Sequence, residues 1–173
     1  MKKHSLFIPE YVTENIYTIT PFLLAARGYR GVVFDLDNTV APYERLQPDK
    51  ATQDYFAALA EAGVQTALVS NNRRERIELF NERLGVFIVA DAQKPSPRGV
   101  HRCIEAFGLP PEQVLFVGDQ IFTDCLAAHR AGVDCYLVKP IKSKETFFFR
   151  LKRAFEKPFP VSYTHLRAHE TGA

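Results

Sequence analysis

The sequence predicts an α/β protein, a doubly wound parallel sheet of the Rossmann-like kind with helices on both faces, three layers in all. Three observations carry that expectation. Short apolar, β-rich runs alternate along the chain with segments of helical spacing. The runs are continuous rather than alternating, as strands buried on both faces are. Four of them lead into polar or charged residues at their carboxyl ends, where ligands bind in such sheets.

The elements follow in order. Gly31 to Leu36 (GVVFDL) reads as the first buried strand, Val64 to Val69 as the second and Gly85 to Ala90 as the third. Val114 to Val117 is the fourth and Val133 to Val138 the fifth. Between them, Asp49 to Ala62 carries Tyr55, Phe56, Leu59 and Ala62 at helical spacing, with Gly63 just beyond. Arg73 to Leu84 places Ile77, Phe80 and Leu84 on one side, Pro97 to Phe107 starts on proline and stops before Gly108, and Ile121 to Ala131 precedes Gly132. A last helix is expected over 144–155, stopped by Pro158. Before the first strand, Thr20-Pro21 reads as an N-cap and first helical residue. Gly28 closes that short helix, and Ile16, Ile19, Phe22 and Leu23 are expected to pack it onto the domain. The repeated strand–helix order implies right-handed crossovers.

Length and composition narrow the classes. A chain of 173 residues can bury a core without disulfides or a structural metal, and residues 1–160 are expected to form one domain. The apolar fraction of 46% and charged fraction of 24% are those of a soluble globular protein. A net charge of +2 gives no footprint for nucleic acid. Cys103, Cys125 and Cys135 form no C-x-x-C pair, so they read as buried thiols in a reducing compartment. No apolar run reaches the roughly 18 residues a membrane span needs. The basic start is interrupted by Pro9, Glu10 and Glu14, a poor signal-peptide core, so a cytoplasmic protein is expected. Residues 161–173 lack periodicity and resemble a translated sequencing-adaptor segment. They are expected to be a non-native, disordered tail, in which His165 and His169 carry no meaning.

The candidate chemistry sits at the strand ends. Asp35-Leu36-Asp37-Asn38-Thr39 ends the first strand, Ser70-Asn71-Asn72 follows the second, Lys94-Pro95 follows the third, and Gly118-Asp119 ends the fourth with Asp124 close behind. A carboxylate such as Asp35 can attack phosphorus and split one displacement into two. Asp37, two residues on, is placed to protonate the leaving oxygen and later take a proton from water. Neighbouring carboxylates need a cation, and an oxygen-only set including Asp35 and Asp119 suits Mg²⁺. Ser70 and Lys94 are candidates to hold the phosphoryl oxygens, as hydroxyl donor and fixed cation.

These four stretches, in this order and each in its strand context, resemble the four motifs of the haloacid dehalogenase superfamily. The resemblance implies that Asp35 is the nucleophile and that Asp37 lends Mg²⁺ its backbone carbonyl besides its acid–base work. It also implies that Asp119 is a further Mg²⁺ ligand, and that Asp124 supports metal-bound waters or orients Lys94. Neither the stretch from Thr39 to Ser70 nor the one from Ser70 to Lys94 has room for a folded cap, so the chain is similar to the capless, IIIA-type class. Within it, Phe34 to Thr39, Thr20-Pro21, Ser70-Asn71-Asn72, Lys94-Pro95 and Gly118 to Asp124 resemble the bacterial YqeG-like phosphatases, which are similar to phosphatidylglycerophosphatases. Asn71 joins Ser70 and Lys94 as an expected substrate-binding residue. The implied activity is Mg²⁺-dependent hydrolysis of a phosphate monoester, small or lipid-borne. The implied location is the cytoplasm or the inner membrane surface. The segment from Phe147 to Phe155 is both aromatic and basic. It reads either as a sheet-covering helix or as a peripheral contact with anionic lipid. A phosphoryl-accepting signalling domain would also use a strand-end aspartate, but Asp37 argues for turnover. Nothing in the residues favours a non-catalytic interaction protein.

Overall fold

The protein is described from a computed structural model, over residues 2–141. Six parallel strands form one sheet in the order β1-β6-β5-β2-β3-β4. They are β1 (Tyr11–Thr13), β2 (Gly31–Asp35), β3 (Gln65–Val69), β4 (Phe87–Val89), β5 (Val114–Gly118) and β6 (Asp134–Val138). The helices are α1 (Pro21–Arg27), α2 (Lys50–Glu61), α3 (Arg74–Asn81), α4 (Arg98–Phe107) and α5 (Leu126–Arg130). β2 lies between β3, its successor, and β5, reached only after the chain has passed through β4. The strand order therefore reverses at β2, and a crevice opens at its carboxyl end.

Alternation along the central strands builds two cores. Val32 and Phe34 of β2 join Leu24 of α1, Tyr55, Phe56 and Leu59 of α2, and Ile77 and Phe80 of α3. Val33 points the other way, to Val100, Cys103 and Phe107 of α4 and Ala127 and Ala128 of α5. Every residue of β2 and β5 is buried, which explains why their sequence runs are uniformly apolar up to the catalytic-type residues. Fully burying each large apolar side chain contributes about 1.5–3 kcal/mol. The three cysteines are free and buried.

The helix signals act as their chemistry requires. The Thr20 hydroxyl accepts from Leu23 N at 3.1 Å with Pro21 in the first turn, and Gly28 closes α1 at φ 80°, in the left-handed region. The Asp49 carboxylate caps α2 by accepting from Thr52 N at 2.9 Å. Three expectations are corrected. Phe22 does not pack onto the domain: it is 84% exposed, and Leu24 is buried in its stead. The two residues lie about 200° apart around the helix, so a short α1 cannot bury both. The sheet also has a sixth strand, β1, at its edge. Tyr11 and Val12 are exposed, so β1 offers no buried apolar run to read. The segment expected to be helical from Ile121 opens as a π-helical turn, Ile121–Cys125, before α5. The expected helix over 144–155, its aromatic and basic residues, and the tail from 161 lie outside the described residues.

Backbone bonds flank the edge strand, and side chains tie the segments around it to β6. Glu10 N donates to Cys135 O at 2.9 Å, and Lys139 N to Thr13 O at 3.2 Å. The Asp134 carboxylate accepts from Tyr29 Oη at 2.5 Å and Lys2 Nζ at 3.0 Å, and His4 Nε2 lies 2.9 Å away. Burial alone would push that carboxyl up, but the bonds from Tyr29, Lys2 and His4 bring it down to about 2. An unfolded aspartate titrates near pH ~3.9. Between those values the unfolded chain binds the proton and the folded chain does not, so stability falls as pH drops from about 4 to about 2. Acid unfolding followed by circular dichroism is expected to show a shallower loss over that window in Asp134→Asn than in the parent. Parallel curves would remove Asp134 from the acid response.

Candidate functional site

A tight turn after β2 shapes the site. Leu36 O accepts from Val40 N at 3.0 Å, Asn38 N donates to Ala41 O at 2.7 Å, and Asn38 sits at φ 64°. Asparagine tolerates that left-handed conformation better than most residues. The turn folds Thr39 back over the strand end. Its hydroxyl then stands 3.0 Å from Asp35 Oδ2 and 3.1 Å from Asp119 Oδ1.

Lys94 is the hub. Asn71 fixes its backbone from both sides, accepting from Lys94 N at 2.7 Å and donating to Lys94 O at 3.1 Å. The side chain, 3% exposed, then reaches Asp35 Oδ1 and Asp124 Oδ1, each at 2.6 Å. Burial would pull the ammonium's pKa down, but the charges of Asp124 and Asp35 more than reverse this, so Lys94 stays protonated. Burial, followed by the charge of Asp35, pushes the Asp124 carboxyl up, while Lys94 opposes them. The geometry favours the ionised form. Asp124 Oδ2 accepts from Asp119 N at 3.1 Å and Gln120 N at 3.2 Å while Oδ1 accepts from Lys94, so every contact is made to an acceptor. Gly118 makes this possible: a Cβ there would stand 2.5 Å from Asp124 Cβ and Oδ2.

Asp35, Asp119 and Asp124 bring carboxylate oxygens within 4.8 Å of one another. The Thr39 hydroxyl has one proton, which can serve Asp35 or Asp119 but not both at once. An oxygen-only donor set of closely spaced carboxylates fits a hard divalent cation.

The remaining expected residues lie around this cluster. Ser70 is buried, and its hydroxyl oxygen accepts from Asn72 N at 3.0 Å. The Asn71 side chain is committed to the Lys94 backbone, so it acts by placing Lys94. The Asp37 carboxylate stands apart from the acidic trio, accepting from Asn72 Nδ2 and Arg76 Nη2, each at 3.2 Å. Thr39, Asn72 and Arg76 were not among the expected site residues. Thr39 was legible as the last residue of the first motif, whereas Arg76, close behind Arg73 and Arg74, looks in sequence like part of a solvated helix face. His101 is exposed, and His129 bonds Glu10 at 2.7 Å rather than joining the cluster. An open cleft bordered by Gln53, Val64, Gln65, Arg83 and Phe87 lies at the opposite, amino ends of β3 and β4 and contains none of the carboxylates.

Residues 40–132 match the family of haloacid dehalogenase-like hydrolases. The chain is 34% identical over 151 residues to the Bacillus subtilis (strain 168) protein called "Probable phosphatase YqeG", covering 87% of this chain and 88% of that one. It is 27% identical over 175 aligned positions to the chloroplastic phosphatidylglycerophosphate phosphatase 1 of Chlamydomonas reinhardtii, covering 95% of this chain and 65% of that one. The crystal structure of an uncharacterized protein from Listeria monocytogenes serotype 4b has the same fold. Its TM-score is 0.52 at 18% identity, over 66% of this chain and 83% of that one.

The charge arrangement yields a stability prediction. Lys94→Met strands Asp35 and Asp124 without their shared cation, and breaking one side of a buried ion pair typically costs about 3–5 kcal/mol. Urea unfolding without divalent cations is expected to show a loss of that order, part of it recovered on adding Asp124→Asn. An unchanged midpoint would mean that Lys94 does not compensate these carboxylates.

Proposed function

The chain belongs to the haloacid dehalogenase-like hydrolase family and is a phosphatase, and from that premise we propose that it hydrolyses phosphate monoesters with Mg²⁺ through an aspartyl phosphate on Asp35. The observation that carries this reading is the state of the Asp35 carboxylate. It lies at the end of a buried strand, with Lys94 on Oδ1, Thr39 on Oδ2 and two further carboxylates alongside.

Each residue has a task. An oxygen of Asp35 attacks phosphorus as the ester P–O bond breaks, forming an acyl phosphate. Asp37 gives its proton to the departing alcohol, then takes one from the water that attacks the acyl phosphate. That second displacement releases inorganic phosphate and restores Asp35. Lys94 has three N–H donors and spends two on Asp35 and Asp124, which leaves one for a phosphoryl oxygen. Ser70 supplies a hydroxyl to another. Asp35, Asp119 and the Asp37 backbone carbonyl would hold Mg²⁺, with Asp124 supporting it from behind. When bound, the metal would supply positive charge that lets an anionic phosphate approach an anionic nucleophile.

For the substrate we favour a phospholipid headgroup monoester of the phosphatidylglycerophosphate kind. The named activity of the Chlamydomonas relative supports it, as does the absence of any inserted cap among the described residues between Asp35 and Lys94. Among those residues no helix is long and apolar enough to cross a membrane. We place its action on the cytoplasmic side, in peripheral contact with the inner membrane surface where such a headgroup lies.

A panel of phosphate monoesters, soluble and lipid-borne, tests the reading. Phosphate release is expected to require Mg²⁺, to stop in excess chelator and to vanish in Asp35→Asn. Asp37→Asn is expected to lose about 10²–10⁴-fold in rate. Full turnover in chelator would overturn the metal assignment, and an active Asp35→Asn would overturn the nucleophile.

A further inference from the structure

We infer that Arg76, a residue outside the four motif stretches, is the positioning residue for Asp37, fixing the place from which that carboxyl gives and takes its proton. The inference rests on the acid–base role proposed for Asp37.

Arg76 is a buried arginine with an unusual bond inventory. Its side chain is 10% exposed, yet among the described residues only Nη2 is bonded, to Asp37 Oδ1 at 3.2 Å and Pro42 O at 3.4 Å. Nε and Nη1 are buried and without partners. A guanidinium buried for structural reasons ordinarily has its five N–H groups bonded. An apolar side chain would fill this space without leaving orphaned donors, so the packing does not account for the charge. What the charge serves is Asp37.

The mounting is rigid. Arg76 projects from α3, which Ile77 and Phe80 anchor in the core, both fully buried. The guanidinium carbon lies 5.4 Å from the centre of the Phe80 ring. Asp37, by contrast, stands on a turn two residues beyond β2 with its side chain 19% exposed. Asn72 takes its other oxygen at 3.2 Å. Together the two donors hold the carboxyl beside the Ser70–Asn72 loop and outside the cluster of Asp35, Lys94, Asp119 and Asp124. A general acid works only from a defined place, and displacements on the order of 1 Å cost up to ~10²-fold.

Dependence on the leaving group separates this role from a merely structural one. An alkoxide needs a proton as it departs, whereas p-nitrophenolate hardly does. Single-turnover phosphorylation would be measured with glycerol phosphate and with p-nitrophenyl phosphate, alongside steady-state kcat and KM and thermal unfolding. The proteins compared are the parent, Arg76→Gln, Arg76→Lys and Asp37→Asn. Arg76→Gln is expected to slow the alkyl ester roughly 10–100-fold, a fraction of the full acid contribution. It should slow the aryl ester less than about 3-fold and leave KM near the parent value, with Arg76→Lys recovering part of the loss. Asp37→Asn should show the same selectivity, more strongly. An equal slowing of both esters by Arg76→Gln, or no slowing while Asp37→Asn remains selective, overturns the inference and leaves the role of Asp37 intact. If Asp37→Asn itself slows both esters alike, the acid role falls and the inference with it.

Discussion

The site depends on one buried ammonium. Lys94 lies between Asp35 and Asp124, 2.6 Å from each, and is almost fully enclosed. Burying two carboxylates this close together is tolerable only with a cation fixed between them. Much of the surrounding structure serves to keep it there. Asn71 clamps the Lys94 backbone, two amides at the end of β5 hold the far oxygen of Asp124, and Gly118 withholds the side chain that would push Asp124 away. Asp119 brings a third carboxylate oxygen within 4.8 Å of those of Asp35 and Asp124. Three such oxygen donors suit the site to a divalent cation, and through it to an anionic phosphate that would otherwise be repelled.

The sheet topology brings these residues together. β2 carries Asp35 and is flanked by β3, which leads into the Ser70–Asn72 loop, and by β5, which leads into Asp119 and Asp124. Loops from three adjacent strands, and the one after β4, therefore open at the same end of the sheet. Ser70 N donates to Val89 O and Ala92 N to Ser70 O, each at 3.0 Å. These bonds tie the β4 loop to the β3 loop, so the segment carrying Lys94 is aligned by backbone bonds as well as by its ion pairs.

Much of this was legible in the residues because strong local signals agreed with the global fold. The runs around Val32–Phe34 and Leu115–Val117 are apolar throughout, and only strands covered on both faces need to be so. Thr20, Pro21, Gly28 and Asp49 marked helix ends through chemistry that acts within a few residues. Features set by distant partners were not legible. The edge strand β1 is recognised only through its pairing with β6, and the exposure of Phe22 depends on which face of a short helix finds the core. Arg76 reads as one more basic residue in a helix until α3 is seen to aim it at Asp37. The residues closest to the proposed chemistry were thus readable from motif and strand context, while those that position them from other elements required the fold.

Identification of the group that accepts the phosphoryl tests the central claim most directly. The parent protein would be mixed with Mg²⁺ and substrate, quenched in acid within one turnover, digested and examined by mass spectrometry. The account predicts an added mass of one phosphoryl group on the peptide containing Asp35. The adduct should be labile to hydroxylamine, as an acyl phosphate is, and absent from Asp35→Asn. Phosphate release through a full turnover with no such adduct at any quench time, or an adduct on another residue, would contradict it.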